Sequence, residues 1–166
     1  MLIVFSGLPG TGKTTLARAL AQRRGAVILR IDVIEQAIRN AGVLAGDVGT
    51  AGYDVALGLA AANLALGRGV VADCVNPVAA SRAAWRAVAE KASVRLVNIE
   101  VLCSDVAEHR RRVATRVSDI PGLVVPDWES VRRHEFAAWT TDRLVVDTAA
   151  LTPDRVVSWI EAQLAA

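Results

Sequence analysis

Gly7-Leu8-Pro9-Gly10-Thr11-Gly12-Lys13-Thr14 follows directly on the apolar run Leu2-Ile3-Val4-Phe5, and a helical pattern from Thr15 to Arg24 follows in turn. A strand, a glycine-rich loop and a helix opening near Lys13 are the context in which G-x-x-x-x-G-K-[ST] reads as a phosphate-binding loop. Glycines at 7, 10 and 12 let the backbone take conformations closed to residues with a Cβ and approach a phosphate closely. The loop N–H groups then turn inward and, with the positive end of the helix dipole, form an anion site before any side chain contributes. Lys13 adds an ammonium for the β- and γ-phosphates, and Thr14 a hydroxyl for the Mg²⁺ that accompanies them. The expected nucleotide-binding residues are therefore Gly7, Leu8, Pro9, Gly10, Thr11, Gly12, Lys13, Thr14 and Thr15, with ATP and Mg²⁺ as expected cofactors. Apart from Lys13 the only lysine is Lys91, so a chain that otherwise uses arginine has lysine where a point charge is wanted.

Composition bounds the rest. A chain of 166 residues, 53% hydrophobic and 22% charged, is long and apolar enough to bury a substantial core as one domain. No apolar run reaches the ~18 residues of a membrane span. The strand-like N-terminus enters the loop at once, which leaves no room for a cleavable signal peptide, so the expected location is cytoplasmic. Cys74 and Cys103 make neither a disulfide framework nor a metal-site spacing and read as reduced core residues. A net charge of +2 is short of the signature of a dedicated nucleic-acid binder.

Outward from the loop, short β-branched runs alternate with alanine-rich helical segments, the pattern of a parallel sheet with helices on both faces and hence of an α/β fold. Gly25 reads as a C-cap, and residues 26–31 as a second strand ending on Asp32. A helix is expected over 32–40, then a glycine-rich mobile connection over 41–52 and a helix from Tyr53 to Leu66. Residues 70–73 form a third strand ending on Asp73, and Asn76-Pro77 reads as the cap and first turn of a helix through about Ala92. Strands are expected at 94–103 and 143–147, and helices from Ser104-Asp105 through Arg116, over 127–140, and after Thr152-Pro153. Residues 117–126, with two prolines and a glycine, form a loop.

Ligands of open parallel sheets bind outside the carboxyl ends of the strands, so Asp32 and Asp73 are expected to converge on the phosphate loop. Asp32 is the candidate base for an acceptor hydroxyl, or else the N-cap of the helix that follows it. Asp73 resembles a metal-holding Walker B carboxylate, or else an ordinary turn residue; the base and metal roles of the two are exchangeable at this point. Among the arginines of 110–116, Arg112 and Arg116 lie four apart on one helix side and Arg111 on another, so one or two of them should reach phosphate. Lys13, Asp32, Arg112 and Arg116 are thus the expected catalytic residues, Arg111 a further nucleotide-binding residue, and Thr14 and Asp73 the metal residues. His109 and His134 read as bystanders, and the four tryptophans as core packing, with Trp128 the exception because it opens the helix after the arginine segment.

Taken together, these residues resemble the P-loop kinases of adenylate-kinase-like topology. The likeness is to the small ATPase/kinase family that includes the kinase domain of polynucleotide 5′-kinases, chloramphenicol phosphotransferase and zeta-toxin-like enzymes. Gly7 to Thr14 matches the family's loop, and Asp32 falls at its catalytic aspartate. Gly69 to Pro77, with Arg82 and Trp85, is similar to its third strand and turn, and Arg110 to Arg116 followed by Val125-Pro126-Asp127-Trp128 is similar to its lid and the helix after it. The resemblance implies a three-layer α/β/α fold, a five-stranded parallel sheet of order 2-3-1-4-5, ATP use, and an arginine-bearing lid over about residues 105–126. Where polynucleotide kinases carry a phosphate-contacting arginine, three positions after the aspartate, this chain has Glu35, which would repel a nucleic-acid phosphate. The expected activity is phosphoryl transfer from ATP to a small-molecule hydroxyl, with a 5′-hydroxyl polynucleotide kinase and a regulatory ATPase without an acceptor as alternatives.

Overall fold

Leu2–Ser6 form strand β1, buried along its whole length, as the middle strand of a parallel sheet must be when helices cover both faces. The computed structural model describes residues 1–166 apart from Ala45 and Ala166. Beside β1 run β2 (Val27–Arg30), β3 (Val70–Asp73), β4 (Leu96–Leu102) and β5 (Leu144–Asp147), every pair parallel, in the order β2-β3-β1-β4-β5. The fold is therefore the expected α/β P-loop arrangement. The helices are α1 (Lys13–Arg24), α2 (Ile31–Ala41), α3 (Ala51–Ala65), α4 (Ala79–Lys91), α5 (Val106–Thr115), α6 (Trp128–Arg133) and α7 (Pro153–Ala165). Among the described residues, no helix is long and apolar enough to cross a membrane.

Because side chains alternate along a strand, β1 feeds two cores. Ile3 and Phe5 pack with Leu16 and Leu20 of α1 and with Val157 and Ile160 of α7. Leu2 and Val4 pack with Ala56 and Ala60 of α3 and with the fully buried Trp85 of α4. The small residues of α3 let that helix approach the sheet closely. Truncating Phe5 or Trp85 to alanine would cost about 3–5 kcal/mol.

Register positions the chemistry. Phe5 is abreast of Asp73, and Asp73 is abreast of Arg30, so the carboxyl ends of β1, β2 and β3 finish level with one another. Paired residues of adjacent strands point to the same face. The chain leaving β1 at this level is the glycine loop, and the chain leaving β2 is α2.

Several boundaries differ from expectation. The α2 helix starts at Ile31 with Arg30 in the N-cap position, so Asp32 lies inside the first turn and does not cap. Asn76 does not cap α4 either. It sits fully buried at φ +51°, its amide donating to the Ser6 hydroxyl at 3.0 Å, and the helix begins only at Ala79. The expected long helix after Asp127 stops at Arg133. Beyond it, the Ala137 N–H donates to the Pro77 carbonyl, while Arg82 donates to the carbonyls of Ala137 and Ala138, so tertiary partners take the backbone groups a helix would use. The α3 helix also begins earlier than expected, at Ala51, shortening the 41–52 connection; Ala45 of that connection lies outside the described residues. Trp159 is 43% exposed, because the buried stripe of α7 is Val156, Val157, Ile160 and Leu164. Both cysteines are free and buried, as expected.

Candidate active site

The phosphate loop is held open by backbone sterics and by three braces, one within the loop and two from outside it. Gly7 sits at φ +141°, and a Cβ there would lie 2.2 Å from the Val101 carbonyl oxygen, so only glycine fits between β1 and the end of β4. Lys13 opens α1, and its buried Nζ donates to the Leu8 carbonyl at 2.8 Å, folding the ammonium back over its own loop. Burial lowers the Lys13 pKa, with the negative charges of Asp73 and Asp32 opposing that shift. The first brace is Thr11, whose buried hydroxyl donates to the Leu8 carbonyl at 2.9 Å. The second is Thr148, immediately after β5, which donates to the Thr11 carbonyl at 2.8 Å. The third is His109 of α5, whose Nε2 meets the Pro9 carbonyl at 2.8 Å.

Above the loop opens a cleft of about 790 Å³. Pro9, Gly10, Gly12, Lys13, Thr14 and Thr15 line it from the loop, together with Asp32, Asp73, Arg111, Arg112 and Arg116. The remaining loop residues of the expected set, Gly7, Leu8 and Thr11, do not line it; they shape the loop from beneath. Strand-end register and the first turn of α2 thus bring both carboxylates and the lysine into one cavity.

The arginines are sorted by their partners. Arg111 is tied to Glu108 through two hydrogen bonds of 2.7 Å, and Arg112 joins the same carboxylate at 2.7 Å. These donors lower the Glu108 pKa to about 2. Arg112 also donates from Nη1 to the Thr148 hydroxyl at 2.8 Å, so it reaches the loop through Thr148. Arg116, just beyond α5, approaches Asp32 at 3.7 Å.

Sequence reasoning missed Arg30. Only 6% exposed, it lies at the hub of three carboxylates: Nη1 is 2.8 Å from Asp119, Nη2 3.7 Å from Asp32, and Nε 3.7 Å from Asp73. A charged residue closing an otherwise apolar strand just before Asp32 was the available signal. Thr148 was missed too, although it follows the carboxyl end of the last strand, where site residues gather. His109 is corrected from bystander to brace. It is buried, packs edge-on against Trp128 at 5.2 Å, and with Val113 fills the space beside Gly10.

A profile of the AAA domain family (AAA_33) matches residues 2–135. Among solved structures, a candidate kinase of Chloroflexus aurantiacus superposes with a TM-score of 0.76 at 23% identity, covering 98% of this chain and 94% of that one. The Mycobacterium tuberculosis APS kinase CysC in complex with AMPPNP and APS has a TM-score of 0.71 at 17% identity, covering 99% and 97%. A gluconokinase from Sinorhizobium meliloti 1021 has a TM-score of 0.67 at 21% identity, covering 98% and 90%. At these identities the likeness speaks for the fold. A curated relative, an uncharacterized protein of Mycobacterium tuberculosis strain H37Rv, is 42% identical over 48 residues, which are 29% of this chain and only 10% of that protein.

Proposed function

The chain belongs to the AAA domain family, and on that premise we propose that it is an ATP- and Mg²⁺-dependent phosphotransferase acting on a hydroxyl of a small-molecule acceptor. The carrying observation is that Lys13, Thr14, Asp32 and Asp73 line one cleft. The kinases among its fold neighbours, including one bound to AMPPNP, support the same reading.

In this reading the loop backbone and Lys13 bind the triphosphate, and Asp32 accepts the acceptor's hydroxyl proton as the new O–P bond forms and the bond from the γ-phosphorus to the ADP oxygen breaks. Asp32 is 40% exposed on the cleft wall, within reach of an incoming alcohol. Thr14 and Asp73 would hold Mg²⁺, which when bound neutralises phosphate charge. The residues fit that ion: Asp73 is 4% exposed and its Oδ2 is buried without a hydrogen-bond partner among the described residues, a ready acceptor for a cation or its water. Arg112 and Arg116 stabilise charge on the transferring group, and the whole chain acts as one kinase domain with residues 105–126 as its lid. Such chemistry needs positioning and charge more than covalent help.

Screening hydroxyl-bearing metabolites for ATP-dependent phosphorylation tests the proposal. Product formed by the wild type and lost in Asp32→Asn, with AMPPNP binding retained, is the expected result. Turnover unchanged in Asp32→Asn would remove the base from the scheme, and efficient labelling of a 5′-hydroxyl oligonucleotide would reassign the acceptor.

A further inference from the structure

We infer that Arg18 and Arg30 form an oxyanion site in the cleft, filled in this structure by the carboxylate of Asp119, and that the acceptor carries an oxyanion in addition to its reacting hydroxyl. This rests on the phosphotransferase reading above.

Asp119 belongs to the loop between α5 and α6, and two arginines from separate elements converge on it. Arg30 Nη1 donates to Oδ1 at 2.8 Å, and Arg18 of α1 engages Oδ2. Both oxygens of one carboxylate are thus taken by guanidinium donors, the arrangement in which arginines recognise carboxylate, sulfate or phosphate. The anchorage is unequal. Arg30 is 6% exposed and fixed at the end of β2, whereas Asp119 is 47% exposed and carried by neither helix nor strand. The buried guanidinium is therefore the site, and the loop carboxylate is its exchangeable guest.

Exchange is the economical route energetically. Asp32 and Asp73 each stay 3.7 Å from Arg30, so departure of Asp119 vacates only the short contact on Nη1, which another oxyanion can make in its place. Charge favours the exchange as well. Seven basic and four acidic side chains line the cleft, so departure of Asp119 leaves seven cations over three carboxylates, Asp32, Glu35 and Asp73. The position also suits the chemistry. Arg30 Nη2 is 3.7 Å from Asp32, so an oxyanion on Nη1 lies beside the carboxylate that would take the hydroxyl proton. A hydroxy acid or a phosphorylated or sulfated alcohol fits this pairing, and a neutral polyol leaves Arg30 to Asp119.

The test is calorimetric titration of inorganic sulfate into the full chain loaded with Mg·AMPPNP, which keeps sulfate off the phosphate loop. Asp119→Ala should bind sulfate about tenfold or more tightly than the wild type. Adding Arg18→Gln, at a half-exposed helix position, should cancel the gain. In the metabolite screen, turnover should follow anionic acceptors. Unchanged or weaker sulfate binding in Asp119→Ala, with AMPPNP still bound, would make Asp119 a structural latch and overturn the site, as would turnover confined to neutral polyols. Failure of the wild type to bind AMPPNP would instead overturn the phosphotransferase reading, and this inference with it.

Discussion

The imidazole of His109 meets the carbonyl oxygen of Pro9 at 2.8 Å, joining two residues 100 positions apart and tying helix α5 to the phosphate loop. A carbonyl only accepts, so Nε2 carries the proton and donates. The ring is buried and backed by Trp128, which lets the contact fix the loop where nucleotide phosphate would rest. His109→Ala should weaken nucleotide binding and lower stability, each by about 1–3 kcal/mol, the range for stranding a buried acceptor. Isothermal calorimetry with AMPPNP and thermal denaturation read the two effects.

Thr148 should behave as a relay between the arginine segment and the loop. Its hydroxyl donates to the Thr11 carbonyl at 2.8 Å and accepts from Arg112 Nη1 at 2.8 Å. Thr148→Val keeps the shape and removes both bonds, which should cost about 1–3 kcal/mol of stability. With its anchor to the loop weakened, Arg112 keeps only Glu108 and the Thr148 carbonyl. In steady-state kinetics kcat should fall several-fold, with a smaller change in the KM for ATP.

The meeting of the phosphate loop, Asp32 and Asp73 at one cleft was legible because it rests on local rules: a spaced glycine motif and carboxylates at or just after strand ends. The sheet order followed from resemblance to a known family, and the structure carries it. Arg30, His109 and Thr148 were not legible in the same way, since their roles depend on partners far along the chain: Asp119, Pro9 and Thr11. Local signals also misled where tertiary contacts won. Asn76 resembles a helix cap in sequence, yet its amide serves Ser6, and its backbone carbonyl and those of Pro77, Ala137 and Ala138 are gathered by Arg82. The guanidinium of Arg82 then stacks on Trp139 at 4.0 Å. The helix expected through residues 134–140 failed for this reason.

Gly52 sets the position of Glu35. A Cβ at residue 52, near the start of α3, would lie 2.4 Å from Glu35 Cγ, too near the α2 backbone for rotation of the carboxylate alone to relieve. Gly52→Ala should therefore push α2 and α3 apart, with an overpacking cost of about 1–3 kcal/mol. Glu35 lines the cleft and pairs with Arg39 at 3.4 Å, so the same change should raise the KM for the acceptor while sparing nucleotide affinity. Thermal denaturation and acceptor-dependent kinetics separate the two effects. An unshifted acceptor KM would mean that Glu35 does not touch the acceptor.

The lowered pKa of Lys13 gives opposite pH signatures to folding and to nucleotide binding. In the unfolded chain the ammonium titrates near 10.5, and in the folded chain burial moves it lower. Between those two values the unfolded chain holds a proton that the folded chain has lost, so raising the pH through this window favours the fold as far as Lys13 is concerned. Below the window both states are protonated, and the folded state bears the full cost of burying the cation. Nucleotide affinity runs the other way, because the polyphosphate needs the ammonium charged. Affinity for ADP, measured with EDTA present to keep magnesium hydroxide out, should decline with rising pH before the ordinary lysine value is reached. Binding in that range should take up a proton, visible as a dependence of the calorimetric enthalpy on the ionisation heat of the buffer. Lys13→Met should bind ADP weakly throughout and show neither the pH decline nor the buffer dependence. A decline that persists in Lys13→Met would assign the titration to another group.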